Sequence, residues 1–339
     1  MTTPDETKTA GEPHAIALVG DIGGTNARFA LADIAQQRPS ISNIRDYPSR
    51  AYARVIDIVR DYLAEQKLPS LPDAAAIAVA GPISHGVVQF TNLGWTLSET
   101  ELKDMGFAQA RLVNDFAALA LATPHLRPDA LHDIGGAGSG DPEKTIAVIG
   151  PGTGFGASAL VRSGSAVVAM AAEGGHMSFA PSDAVEREVL RVLSQKFAHV
   201  SIERILSGPG LCNLHEALNT IEGVGQGIGD GANDPAEITR RALAGEQVFA
   251  RTLMRFCAIL GAVGGDFALC YGAQGGVFIA GGIAPAILSA LETSEFRRRF
   301  EAKGRFESYL RAIPTRVIVH AHAAFLGAAE MARALTAAR

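Results

Sequence analysis

Apolar residues fall along this chain in short runs punctuated by glycine, and two places repeat one design. AIALV (15–19) and FALA (29–32) flank the turn GDIGGTNAR, Gly20 to Arg28, while TIAVI (145–149) and ASALV (157–161) flank GPGTGFG, Gly150 to Gly156. An apolar run on each side of a glycine turn predicts strand, tight turn, strand. The two turns lie about 130 residues apart, so two related halves are expected. AAIAVAGPI (75–83) predicts a buried strand running into a Gly-Pro turn. ARLVN (110–114) predicts another strand, passing directly into the helix DFAALALA (115–122). Ser98 with Glu101 three residues on marks a capping-box helix start. Phe249, Leu253, Phe256, Leu260 and Val263 recur at helical spacing, and Gly261, Gly264 and Gly265 among them predict close approach of another backbone. GGVFIAGGIAP (275–285) reads as strand, Gly-Gly turn and a helix opening near Pro285, and a last helix covers Ala323 to Leu335. Strands mixed with helices in two similar halves predict an α/β fold with a cleft. GGAGSGD (135–141) reads as a loop connecting domains.

Composition narrows the function classes. The chain of 339 residues has room for two domains, each with its own core. A net charge of −5 offers no basic field for nucleic acid. The one basic cluster, Arg297 to Arg299, lies beside Glu295 and Glu301 and reads as a solvated helix face. Cys212, Cys257 and Cys270 have neither CxxC spacing nor an even count, and fit buried thiols in a reducing compartment. Residues 1–14 are polar, lack a signal pattern and read as disordered. No uninterrupted apolar run approaches the ~18 residues a bilayer span needs, so no membrane and a cytoplasmic location are expected.

The two turns carry the candidate chemistry. Glycines let backbone N–H groups point outward, which suits phosphate oxygens, and Thr25 and Thr153 add a hydroxyl to each turn. Asp21, in the first turn alone, could hold a metal. A P-loop would need GxxxxGK[ST], and no lysine follows either turn at that spacing. Gly152, Gly154 and Ala157 satisfy a dinucleotide fingerprint with Glu173 about 20 residues on, but Gly164 interrupts what should be a helix. LVNDF reads by itself as a strand ending in a helix cap. Glu173 and His176 have an E-x-x-H spacing that binds metal on a helix, and Gly174 and Gly175 argue against a helix there. Glu203 reads by itself as a surface charge paired with Arg204 or Arg187.

GDIGGTNARFAL, LVNDFAALA, IGPGTGFG, EGGHMSFAP, ERILSGPGL and GGVFIAGGI occur in this order and resemble the bacterial glucokinase family, hexokinase-type sugar kinases of the actin-like ATPase superfamily, from residue 15 onward. ROK sugar kinases share the first hairpin, but their cysteine-rich zinc motif has no match here. The resemblance implies a two-domain actin-like ATPase fold of ribonuclease H-like type. Its cleft would lie between a small α/β domain (15–125 plus 317–339) and a larger α+β domain (126–316). It implies transfer from ATP to the 6-hydroxyl of glucose, with Mg²⁺, in a homodimer. Asp115 would be the base and Asn114 a sugar contact, with Glu173, His176 and Glu203 holding the ring hydroxyls. Gly20, Asp21, Ile22, Gly23, Gly24, Thr25, Gly152 and Thr153 would cradle the phosphates, with Asp21 toward Mg²⁺. Gly281 and Gly282 would face the adenosine. A kinase of another hexose, or a non-catalytic sugar sensor on the same fold, are the alternatives.

Overall fold

Alternating apolar positions build the first sheet. The computed structural model describes residues 15–24, 26–90, 93–164, 166–223 and 233–337. Thr25 and the expected disordered start, 1–14, lie outside the described residues. Strands β1 (Ile16–Ile22), β2 (Asn26–Asp33), β3 (Ser40–Pro48) and β4 (Ala74–Val79) are followed by β5 (Ile83–Ser84), β6 (Val87–Phe90), β7 (Trp95–Ser98) and β8 (Gln109–Asn114). The main sheet has the order β3-β2-β1-β4-β8, with β1, β4 and β8 parallel and the β1–β2–β3 meander antiparallel. Leu18 and Ile22 of β1, with Ala75, Ile77 and Val79 of β4, face a core closed by helix α1 (Val55–Gln66). Ala17, Val19, Ala74 and Ala76 face the opposite way, onto the C-terminal helix (Ala323–Ala337). Small residues dominate that second face because the helix lies close. A Cβ at Gly327 would sit 1.7 Å from the Ala118 carbonyl oxygen of helix α3 (Asp115–Ala122). Between them in sequence, α2 (Glu99–Asp104) opens on the expected capping box of Ser98 and Glu101.

The second unit repeats the plan. It contains β9 (Leu131–Asp133), β10 (Ile146–Pro151), β11 (Phe155–Ser163), β12 (Ala166–Ala172), β13 (Gly276–Ile279) and β14 (Thr315–Ile318), ordered β12-β11-β10-β13-β14-β9. Again the first three strands in sequence around the glycine turn run antiparallel, and β10, β13 and β14 run parallel. Helices α4 (Ala184–Lys196), α5 (Gly208–Ile221), α6 (Pro235–Leu243) and α7 (Gln247–Tyr271) share its core with the shorter α8 (Ile283–Ala286), α9 (Leu288–Thr293), α10 (Phe296–Glu301) and α11 (Glu307–Ala312). The chain ends in α12, the C-terminal helix already placed in the first unit.

Helix α7 is long and apolar enough to cross a membrane by length and composition, but it is mostly buried as the core helix of this unit. Two of its glycines do what their spacing predicts. A Cβ at Gly261 would lie 2.0 Å from the Phe296 carbonyl oxygen, and one at Gly265 would lie 2.5 Å from that of Phe300, so α10 seats directly on the α7 backbone.

The chain divides into Met1–His125 with His322–Arg339 and Leu126–Ala321. Val317 and Ile318 belong to β14 beside β13, so the return to the first unit comes after residue 317. Three sequence expectations change. The 135–141 loop lies inside the second unit, where the Thr315 N–H donates to the Gly135 oxygen and the Ala137 N–H to the Arg311 oxygen. The Arg297–Arg299 cluster is not simply a solvated face, because Arg299 is buried against Glu186 (2.6 Å) and Arg297 donates to Glu301 and to the Ile313 and Leu310 carbonyls. Of the cysteines only Cys257 is buried, and Cys270 is exposed.

Candidate active site

Parallel strands that finish abreast gather the candidate residues of the first unit. Ile22 of β1 pairs with Val79 of β4, and Val79 pairs with Asn114 of β8. The glycine turn after β1 and the Asn114–Asp115 step after β8 therefore share one edge of the sheet, at the carboxyl ends where α/β sheets bind ligands. Gly23 N–H donates to the Asn26 oxygen (3.0 Å), closing the turn. Gly20 is glycine for packing, since a Cβ there would meet Ile77 and Phe29 side chains at 2.9 Å. Gly23 and Gly24 have no such reason. Their nearest described neighbour would be 3.9 Å away or beyond 4 Å, and neither has a left-handed φ.

Asp21 points its carboxylate toward Arg28, the residue across the hairpin in register, with Nη1 3.5 Å from Oδ2. Burial pushes the Asp21 carboxyl above the ordinary aspartate range, and Arg28 only partly offsets this. A desolvated carboxylate of this kind favours a further cation. Arg28 itself is held by Asp46, Nε to Oδ1 at 2.6 Å. Sequence reasoning passed over Arg28, although pairing outward from the turn places residue 28 opposite residue 21.

Asn114 and Asp115 occupy a strand-to-helix junction, as LVNDF predicts. Asn114 Oδ1 accepts from the Ala117 N–H (3.1 Å) and is the helix cap. Asp115 Oδ1 accepts from the Phe116 N–H (2.9 Å) in the first turn of α3, where the helix amides favour negative charge.

The second unit gathers candidate residues of its own. Glu173 precedes a single 3-10 turn, Gly174–His176, that brings the Glu173 and His176 side chains to 4.0 Å, each about 62% exposed. The turn is pinned from beneath. A Cβ at Gly175 would lie 2.2 Å from the Phe155 oxygen, and one at Gly174 would strike the Phe267 ring at 2.6 Å. Glu203 is not paired with Arg204 or Arg187. Its N–H donates to the Gly175 oxygen (2.9 Å) while its Oε2 accepts from the Phe155 N–H (2.9 Å). One residue thus ties the Glu173–His176 turn to the second glycine hairpin. Gly154 is glycine because that carboxylate fills its Cβ position, at 2.4 Å.

The second hairpin closes through Gly152 N–H to the Gly154 oxygen (2.8 Å), and the Gly152 oxygen accepts from Gly208 N–H (2.8 Å) at the start of α5. The loop after β13 lies against it. A Cβ at Gly150 would be 1.9 Å from the Ala280 oxygen, and Gly281, with φ of +85°, approaches the Pro151 oxygen to 2.4 Å in the same sense. Gly152 and Gly282, like Gly23 and Gly24, face open space. Thr153 is exposed at the hairpin tip. Among the described residues no cluster of three or more His, Cys, Asp or Glu forms, so the E-x-x-H spacing builds no protein-only metal centre there.

Known proteins share this arrangement across its length. The family model described as Glucokinase matches residues 18–335. A glucokinase of Caulobacter sp. (strain K31) is 50% identical over 318 residues, covering 93% of this chain and 94% of its own. The crystal structure of a glucokinase from an Antarctic psychrotroph superposes with a TM-score of 0.85 at 39% identity, covering 94% of this chain and 99% of that one. A ROK family glucokinase from Streptomyces griseus, solved in complex with glucose and AMPPNP, has the same fold at 18% identity, TM-score 0.64, over 94% of this chain and 99% of its own. By the extent of these matches, the chain belongs to the glucokinase family.

Proposed function

We propose that this protein transfers the terminal phosphoryl group of ATP to the 6-hydroxyl of D-glucose. The observation that carries the reading is a set of turn glycines that the fold itself does not need. Gly23, Gly24 and Gly152 are uncrowded and free of left-handed φ, and with the Gly23 and Gly152 N–H groups spent on closing the turns, their missing side chains leave room for a ligand's oxygens to lie close against the backbone. Family membership makes those oxygens the phosphates of ATP. In the finer fold reading, the units are the small α/β and larger α+β domains of an actin-like ATPase of ribonuclease H-like type.

Phosphoryl transfer needs a positioned hydroxyl, a proton acceptor and neutralised phosphate charge. Asp115 accepts the proton from the 6-hydroxyl, its carboxylate kept ionised by the first turn of α3. Asn114 spends Oδ1 on the helix cap and offers Nδ2 to the sugar. Glu173 and His176 hold adjacent ring hydroxyls. Glu203 joins them through Oε1, since Oε2 already accepts from Phe155 N–H. Gly20, Asp21, Ile22, Gly23, Gly24, Gly152 and Thr153 cradle the phosphates, Thr25 adds its hydroxyl, and Gly281 with Gly282 faces the adenosine. Asp21 fits Mg²⁺ as a single desolvated carboxylate, because Mg²⁺ keeps several waters and takes its remaining ligands from phosphate. Bound there, Mg²⁺ would supply charge neutralisation for the phosphates.

A homodimer and a cytoplasmic location complete the reading. The test is a coupled assay for sugar 6-phosphate with Mg-ATP and glucose, mannose or fructose. Turnover selective for glucose supports the reading, equal turnover makes the protein a general hexose kinase, and glucose binding without turnover makes it a sensor.

A further inference from the structure

The turn that carries Glu173 and His176 is short, and it is exposed at Glu173, His176 and Met177. Its carbonyl groups show what holds it in place. The Glu173 oxygen accepts from the His176 N–H (3.0 Å) and the Gly174 oxygen from the Met177 N–H (3.2 Å), which closes the 3-10 turn. The Gly175 oxygen accepts from the Glu203 N–H (2.9 Å), and the Met177 oxygen from the Ile202 N–H (2.9 Å). Main chain therefore serves Glu173, Gly174, Gly175 and Met177. The carbonyl of His176 itself accepts from a side chain, His199 Nε2 at 3.0 Å.

His199 reaches that oxygen because the chain returns to the turn. After Phe179 it passes through α4 and comes back as residues 199–203, antiparallel to 175–179. Ser178 is bridged to Ser201, and the Phe179 N–H donates to the Val200 oxygen (2.9 Å). On the other side of His199, Phe197 closes α4 through its N–H to the Leu193 oxygen (2.9 Å), and the Arg204 guanidinium lies over the Phe197 ring at 4.3 Å. The backbone around His199 is thus fixed on both sides, while its side chain is exposed. A carbonyl oxygen only accepts, so Nε2 carries a proton in this bond. The peptide joining His176 to Met177 is gripped at both polar atoms, its N–H by Gly174 and its oxygen by His199.

We infer that His199 is a positioning residue for the sugar: without touching the hexose, it fixes the His176 peptide and so the direction in which the His176 imidazole leaves the turn. The inference rests on the reading of Glu173 and His176 as sugar contacts. The His176 side chain is about 62% exposed, so little packing holds it and its aim depends on the backbone beneath. A hydrogen bond as exposed as that from His199 adds little to folding, because water can take the donor's place at the carbonyl. Water satisfies the oxygen but leaves the peptide free to turn. What the bond supplies is preorganisation, which is read in sugar affinity.

The experiment is steady-state kinetics of the full chain, with glucose and Mg-ATP varied in turn, beside thermal unfolding. The chains compared are wild type, His199→Phe, His199→Gln, His176→Ala, and His176→Ala combined with His199→Phe. His199→Phe keeps a ring without the donor. It should raise the KM for glucose about three- to tenfold, with kcat and the KM for ATP within about twofold of wild type and the melting temperature unchanged. His199→Gln places an amide N–H where Nε2 stood, and should bring the glucose KM back to within about twofold of wild type. In the His176→Ala background, adding His199→Phe should change the glucose KM by less than about twofold, because the side chain it aims is gone. A wild-type glucose KM in His199→Phe, beside a raised one in His176→Ala, overturns the inference and leaves the sugar contacts standing. A loss that glutamine does not rescue overturns it too, as does one that adds in full to that of His176→Ala. Lower melting with affinity for ATP and glucose lost alike would make His199 a plain brace, and overturns it as well. If His176→Ala leaves glucose affinity unchanged, the sugar-contact reading falls and the inference falls with it.

Discussion

The two glycine hairpins share register and topology yet are held in opposite ways. In the first, the turn glycines Gly23 and Gly24 face open space and the chemistry lies in a half-buried carboxylate, Asp21, beside Arg28. In the second, backbone packs on backbone: Gly150 on Ala280, Gly281 on Pro151, Gly154 on the Glu203 carboxylate, and Gly208 bonded to Gly152. The first hairpin carries charge, and the second is a braced frame. A glycine count treats them alike, while the neighbours of each missing Cβ separate them.

The largest effect should come from the charged hairpin. Asp21→Asn should lower turnover by roughly 10²–10³-fold, through weaker handling of Mg-ATP, without lowering thermal stability, because burial already disfavours the ionised carboxylate in the fold. A loss of stability without loss of turnover would make Asp21 merely structural. Next, paired alanine substitutions break the comparison itself. Gly150→Ala drives a Cβ into the Ala280 oxygen and should destabilise by ~1–3 kcal/mol or more. Gly24→Ala should stay within about 0.5 kcal/mol of wild type in stability, yet raise the KM for ATP. Equal behaviour in unfolding and kinetics would end the distinction.

Glu203 sharpens it. Glu203→Ala leaves the Phe155 N–H without its acceptor and should cost about 1–3 kcal/mol, with a raised KM for ATP. Glu203→Gln keeps an oxygen for that N–H, so stability should hold while glucose affinity falls. If both variants lose only stability, Glu203 braces the hairpin and does not touch sugar.

The smallest effect is a pH slope behind the second hairpin. His215 of α5 is buried, with Nδ1 at 2.8 Å from Thr252 Oγ1 and Nε2 at 3.1 Å from Asn219 Nδ2. Thr252 gives its own proton to the Val248 oxygen, and Asn219 Oδ1 accepts from Arg251, so this network fits a neutral ring protonated on Nδ1. Burial, then Arg251 and Arg241, lower its pKa below the usual 6.5. With the folded value below the unfolded one, the unfolded chain takes up the proton first. Stability should therefore be flat in this group above about pH 6.5 and fall below it, by up to about 1.4 kcal/mol per pH unit. His215→Gln should flatten that slope in melting curves from pH 7.5 to 5, and an unchanged slope would place the sensitivity elsewhere.

Much of the fold was legible because its signals are local. The strand–turn–strand units, the Ser98 capping box and the α7 glycines all follow from spacing over a few residues. What was not legible depends on partners distant in sequence. Glu203 looks like a surface charge until Phe155 and Gly175 come to it from earlier strands and turns. The arginines of 297–299 look solvated until Asp183 and Glu186 arrive from α4 to meet Arg299. The 135–141 loop looks like a linker until β14 and α11 close over it. Asp115 lies between these cases, since its helix-cap position is local while the base role comes from the family's motif.

The most direct measurement is therefore turnover and glucose affinity of Asp115→Ala beside wild type, by coupled assay and calorimetry. The account predicts glucose binding within a few-fold of wild type and turnover lower by roughly 10²–10⁴-fold. Near wild-type turnover would contradict it, because the 6-hydroxyl proton would then be leaving by another group.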